Sequence, residues 1–113
     1  IIPGPRLLIA TRALIATGSY APKGFAAEWD VPQGAQEADG VDALVKAVRE
    51  QIGKGADVVK VYGDYRWGPS GEARPTYSLD ELRLIVDTAK SSGRPVVVHA
   101  STAEGMRRAV EAG

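Results

Sequence analysis

Two side chains in this sequence have the type and placement to do chemistry together, Lys60 and His99. Lys60 comes late in the run Ala56-Asp-Val-Val-Lys-Val-Tyr62, and His99 comes late in Pro95-Val-Val-Val-His-Ala100. At the period of two that a strand imposes, Val58, Lys60 and Tyr62 share one face of the first run, with Val59 and Val61 on the other. Val97 and His99 share a face of the second run, opposite Val96, Val98 and Ala100. If the runs are neighbouring parallel strands, Lys60 and His99 point to the same side near the carboxyl ends. An amine there is costly to bury without a partner. Four roles stay open for Lys60: a strand-end lysine whose stem snorkels to solvent, a Schiff-base amine, a phosphate ligand, or a carbamate bridging two metals. His99 fits a hydrogen-bonded core histidine as well as it fits a ligand or base. It is the single histidine, and cysteine is absent. Residues 1–113 therefore cannot build a zinc site of three or four His and Cys ligands, and a catalytic metal would need ligands from elsewhere.

Beyond the Lys60 strand lie Asp64, Tyr65, Arg66 and Trp67, which read either as a solvated loop with one aromatic against the rim or as a substrate-lining loop. Ser101 and Thr102 read as helix caps rather than nucleophiles, since Ser101 and Glu104 have the spacing of a capping box. Gly68, Gly71 and their neighbours form no phosphate-cradling pattern. No basic patch interleaved with aromatics is present.

These residues have to be held by strands and helices. Three apolar runs alternate with three helical segments. Arg6–Ala10 is the first and weakest strand candidate; residues 56–62 and 95–100 are the others, with Pro95 where a strand can begin without a donor. Near-continuous apolar character predicts parallel strands covered by helices on both faces. A helix is expected from about Asp39 to Gly53, with Val41, Leu44, Val45, Val48 and Ile52 on its inner stripe. A second starts at the Ser78–Glu81 capping box, with Tyr77 and Leu82 spaced as a hydrophobic staple, and stops near Gly93. A third follows Ser101 and Glu104, with Met106, Ala109 and Val110 expected in the core. Residues 11–40 and 63–77 are long and irregular. Both follow strands, on the face where α/β proteins keep their chemistry.

The sequence has 113 residues, 14 basic against 14 acidic, and 44% apolar. That is globular composition, far short of the roughly 250 residues of a closed (β/α)₈ barrel. Neutral balance argues against a broad nucleic-acid footprint. No apolar run is long enough for a membrane span. Without cysteine the redox compartment stays open, with a slight lean to the cytoplasm. The chain opens on Ile1 and stops at Gly113, where a helix should hand over to another strand, so it is expected to be an interior piece of a larger fold.

Gly55-Ala-Asp-Val-Val-Lys-Val-Tyr62, Tyr77-Ser-Leu-Asp-Glu-Leu-Arg-Leu-Ile-Val-Asp-Thr-Ala89 and Gly93-Arg-Pro-Val-Val-Val-His-Ala100 together resemble the metal-dependent amidohydrolase superfamily. The similarity is to its imidazolonepropionase-like and Xaa-Pro or Xaa-Arg dipeptidase branch. Gly4-Pro-Arg-Leu7 and Thr17-Gly18 resemble that branch's third strand and following loop. The resemblance implies a partial (β/α)₈ TIM barrel in which residues 1–113 supply about strands three to five, the central part of a catalytic barrel. Lys60 then matches the fourth-strand lysine that is carboxylated by CO₂ and bridges two divalent metals, usually zinc. His99 matches the fifth-strand histidine that ligates one of them. Tyr62, Asp64, Tyr65, Arg66, Trp67 and Ser19 would line the substrate.

The chain departs from the branch at Ser19, where His is common, at Tyr62-Gly-Asp-Tyr-Arg-Trp67, which replaces a Met-x-Thr-Gly-Gly loop, and at Ser101, where a second His is common. The implied reaction is hydrolysis of an amide, cyclic amide, peptide or ester bond in a small-molecule or peptide-like substrate. The remaining ligands would come from further barrel segments or partner chains, so residues 1–113 alone are expected to be inactive. The rivals are a Schiff-base lyase or aldolase barrel using Lys60, and a non-catalytic α/β interaction domain.

Overall fold

A computed structural model describes residues 2–113 as an α/β unit: an incompletely closed sheet of four parallel strands flanked by three helices. In chain order the elements are β1 (Leu14–Ile15), β2 (Gln36–Glu37), α1 (Gly40–Gly53), β3 (Val59–Tyr62), β4 (Asp64–Tyr65), β5 (Arg74–Pro75), α2 (Leu79–Lys90), β6 (Val96–His99) and α3 (Ala103–Ala112). The sheet order is β2-β1-β3-β6, and β4 with β5 forms a separate antiparallel hairpin. This is the architecture of part of a barrel wall.

The helices pack on one face of the sheet, not on both as the apolar runs suggested. Val59 and Val61 of β3 are buried with Leu14, Leu44, Val48, Tyr77, Leu82 and Ile85 in a single core. The opposite face carries Lys60, Tyr62, Val97 and His99, of which Lys60 and Tyr62 are half-buried and Val97 and His99 exposed. An apolar strand residue such as Val97 thus marks the inward face of a curved sheet rather than a second helical layer.

Arg6–Ala10 is not a strand. Leu7 and Leu8 are exposed, and the segment touches the sheet mainly through Ile9, whose carbonyl accepts from Asp57 and Val58 N–H while its N–H donates to Asp57 Oδ2 at 2.9 Å. Thr11, at a left-handed φ of 53°, then turns the chain, and the strand begins only at Leu14, which is wholly buried beside Val61. The irregular stretch 11–40 contains both β1 and β2, each two residues long.

The second helix forms as its sequence dictates. Ser78 Oγ accepts from Glu81 N–H and Glu81 Oε1 accepts from Ser78 N–H, both at 3.1 Å, and Tyr77 and Leu82 are both buried. Glu81 also accepts from Gly40 N–H at 3.2 Å, so one carboxylate caps two helices. Asp39 stands at the start of α1 but caps nothing with its side chain; it accepts from Thr17 N–H and from the Thr17 hydroxyl instead.

The third helix differs from expectation. Thr102, not Ser101, is its N-cap, accepting from Gly105 N–H at 2.9 Å. Glu104 turns instead to the guanidinium groups of Arg107 and Arg108, whose hydrogen bonds pull its carboxyl down to about 2. Met106 and Val110 are 49% and 81% exposed, and Val41 of α1 is 67% exposed, so these apolar residues lie outside the core.

Tyr77 gives a test of the core. Its hydroxyl donates to Ala38 O at 2.7 Å inside the apolar cluster. Burial first, then the nearby carboxylates of Asp39 and Glu81, raise the phenol well above its ordinary value near 10. A raised folded-state value means that the stabilisation is complete below about pH 10 and is lost as pH climbs beyond it. Alkaline titration followed by circular dichroism should show unfolding together with ionisation of one phenol, identified as the absorbance step missing from Tyr77→Phe. Ionisation of Tyr77 with the fold intact would contradict the packing described.

Candidate functional site

The site is built by register. Lys60 pairs with Val97 and Tyr62 with His99 across β3 and β6. Lys60 and His99 therefore share the inward face, two rungs apart along the sheet, with Tyr62 joining them. Lys60 Nζ is 5.4 Å from the centroid of the Tyr62 ring, and the His99 ring centroid is 5.3 Å from it. A cation over a tyrosine face is attracted by the ring quadrupole. None of the ion pairs among the described residues includes Lys60.

Tyr62 belongs to a cluster of three tyrosines. The loop after β1 swings Tyr20 to 5.5 Å from the Tyr62 ring and 5.2 Å from Tyr65, and Tyr65 meets Tyr62 edge-on at 5.9 Å. Beside them Asp64, Tyr65, Arg66, Ala73, His99 and Ser101 line a cleft of about 320 Å³. Arg66 and Trp67 are exposed on its rim side. Ser19 is fully buried; its hydroxyl and its N–H both turn back to Ala16 O, at 2.7 and 3.1 Å.

Asp64 is the most heavily engaged of these residues. It is buried, and its Oδ2 accepts from Ser101 N–H at 2.8 Å, Thr102 N–H at 2.7 Å and the Thr102 hydroxyl at 2.8 Å. Its Oδ1 accepts from the Ser101 hydroxyl at 3.1 Å. Burial pushes the carboxyl upward, but the bonds from Thr102 and Ser101 together outweigh it and hold the group below the ordinary carboxylate value. Asp64 is thus an anion at the start of α3, where the helix dipole also favours one.

The structure brings Lys60, Tyr62, His99, Asp64 and Tyr65 to one end of the sheet, with Arg66 at its rim. Sequence reasoning missed Tyr20, which had no local signal, because only closure of the loop places it. Thr102 was read as a cap alongside Ser101, but its bond to Asp64 was not foreseen.

Among the described residues, no three His, Cys, Asp or Glu side chains converge on a point. The donor set that could hold metal is Lys60, once carboxylated, and His99: an oxygen and a nitrogen donor on one face, which suits a divalent ion but does not complete its coordination.

Lys60 and His99 thus sit at strand ends on the inward face of a partial parallel barrel. No protein-family model matches the chain. Ochratoxinase of Aspergillus niger is 36% identical over 78 residues, 67% of this chain and 16% of that protein. Its crystal structure superposes with a TM-score of 0.82 at 27% identity, over 99% of this chain and 30% of that one. A Xaa-Pro dipeptidase with methionine bound in its active site gives 0.81 at 34% identity, over 99% and 29%. A prolidase complexed with N-methylphosphonate-L-proline gives 0.79 at 33%, over 99% and 30%. Over nearly its whole length the chain is similar to the metal-dependent amidohydrolase superfamily, on its dipeptidase, prolidase and ochratoxinase branch. It spans less than a third of the length of each of these relatives. The superfamily generally uses binuclear metal centres. Among the described residues, no helix is long and apolar enough to cross a membrane.

Proposed function

We propose that residues 1–113 are the central part, strands three to five, of an amidohydrolase barrel that cleaves an amide, cyclic amide, peptide or ester bond. The observation that carries this reading is the placement of Lys60 and His99 on one inward face, at the carboxyl ends of adjacent parallel strands. The relatives named for proline peptides make Xaa-Pro dipeptides the first substrates to try.

In this reading the Lys60 ammonium first loses a proton to water; the neutral amine then adds to CO₂, an N–C bond forms as a C=O π pair moves to oxygen, and a second proton passes to water, so that a cation becomes an anionic oxygen donor. The carbamate and His99 would then hold two divalent ions, zinc by analogy with the family, together with ligands from the remaining barrel segments or partner chains. When bound, such ions supply an activated water and a polarised carbonyl. Tyr62 and Tyr65 present aromatic faces to the substrate, Arg66 offers a cation at the rim, and Trp67 extends the apolar border. Asp64 and Ser19 shape the lining from behind, through the loops they hold.

The assembled barrel should lose hydrolysis of Xaa-Pro dipeptides on chelation and regain it with zinc plus bicarbonate, whereas residues 1–113 alone should be inactive. Hydrolysis indifferent to chelator and to bicarbonate would end this reading. Borohydride trapping of a carbonyl substrate on Lys60 would replace it with the Schiff-base alternative.

A further inference from the structure

Asp64 accepts four hydrogen bonds within the fold, three on Oδ2 and one on Oδ1. What those bonds fix is the chain on either side of His99. Before the helix, Asp64 ties down Ser101 and Thr102, two and three residues beyond the histidine. On the strand side, Gly63 N–H donates to His99 O at 2.9 Å. A Cβ on Gly63 would stand 2.8 Å from Val98 Cγ1, so any larger residue there would push against the Val98 side chain, next to His99. The segment 63–64 is itself anchored from behind: Thr76 N–H donates to Gly63 O at 3.0 Å, and the Thr76 hydroxyl donates to Tyr62 O at 3.2 Å. Thr102 passes the constraint onward, since its hydroxyl donates to Asp64 Oδ2 and accepts from Gly105 N–H.

We infer that Asp64, with Ser101 and Thr102, is a positioning latch for His99: it locks the β6–α3 turn onto the end of β3 and so fixes the imidazole relative to Tyr62 and Lys60. The inference rests on the reading of His99 as a metal ligand for its functional meaning. Its geometric content, the tie between Asp64 and the orientation of His99, stands without that reading. Groups behind a metal ligand that orient it commonly change affinity by about 10–100-fold when removed.

The test uses the assembled barrel in its metal-free and zinc-loaded forms. The His99 imidazole resonances are identified by their loss in His99→Gln. Asp64→Asn keeps the shape of the side chain but replaces an acceptor oxygen with a donor facing donors. Thr102→Val is the milder variant: it removes one hydroxyl at nearly constant volume and leaves the Asp64 carboxylate in place. Thr102→Ser restores the hydroxyl. The latch predicts that Asp64→Asn and Thr102→Val both move the His99 resonances in the metal-free protein and weaken zinc binding at least tenfold, and that Thr102→Ser restores both. A purely structural Asp64 would lower the melting temperature and leave the His99 resonances of the folded protein where they were. That result overturns the latch, and Thr102→Val alone suffices to deliver it. If His99→Gln and Lys60→Ala leave zinc binding intact, the two-metal reading fails instead, and the resonance shifts still decide the latch.

Discussion

Replacing Lys60 by alanine is expected to lower kcat/KM of the assembled barrel by about three orders of magnitude or more and to reduce bound metal. The size follows from the role proposed. Metal ions contribute several kcal/mol of charge stabilisation in a hydrolytic transition state, and each 1.36 kcal/mol is a factor of ten in rate. Two further variants separate the chemistry from the charge. Lys60→Arg keeps a cation over the Tyr62 ring but cannot form a carbamate, so it should be as inactive as alanine. Adding acetate or propionate to Lys60→Ala should recover part of the metal and part of the rate, because a small carboxylate can enter the space left by the lysine stem. A lysine that only snorkels to solvent would make all these variants nearly normal. A Schiff-base lysine would show no carboxylate rescue. Unchanged metal occupancy in Lys60→Ala would sink the carbamate.

The face that Lys60 shares with His99 was legible because alternation along a strand is a local property. Both runs are β-branched and short, and the structure pairs Tyr62 with His99 across them. The Ser78–Glu81 box was legible for the same reason, since both partners lie within one helical turn. The failures are where a distant residue decides. At the start of α3, Ser101 and Thr102 are both good caps. Asp64, 37 residues earlier, takes the Ser101 hydroxyl and both backbone N–H groups, leaving Thr102 to cap Gly105. Strands β1 and β2 carry too few residues for any pattern; they exist because Leu14 finds Val61 on one side and Gln36 on the other. Helical spacing put Val41, Met106 and Val110 on inner stripes, yet spacing reports only that a helix has an apolar side, not that anything in this chain covers it.

Gly105→Ala offers the sharpest test of how rigid the Asp64 arrangement is, because two effects of opposite sign compete there. Alanine in place of glycine inside a helix is favourable by about 1 kcal/mol. Gly53, the last residue of α1, has nothing within 4 Å of where a Cβ would stand, so Gly53→Ala should be neutral or stabilising. At Gly105 the same methyl would lie 2.5 Å from Asp64 Oδ2 and 2.9 Å from Thr102 Oγ1. A carboxylate at the end of a free side chain would swing away at little cost. Asp64 cannot, because moving Oδ2 breaks its bonds to Ser101 N–H, Thr102 N–H and the Thr102 hydroxyl, and strands those donors in a part-buried site. Unsatisfied groups of this kind cost about 1–3 kcal/mol each. Steric displacement therefore wins over propensity, and Gly105→Ala is expected to destabilise by about 2 kcal/mol or more in denaturant titration, opposite in sign to Gly53→Ala. The loss should shrink in the background of Asp64→Ala, where Oδ2 is gone and only the 2.9 Å contact with Thr102 Oγ1 remains; the departure from additivity then measures the contact with Asp64. If Gly105→Ala stabilises as Gly53→Ala does, Asp64 is mobile, and a mobile carboxylate cannot hold His99 in place.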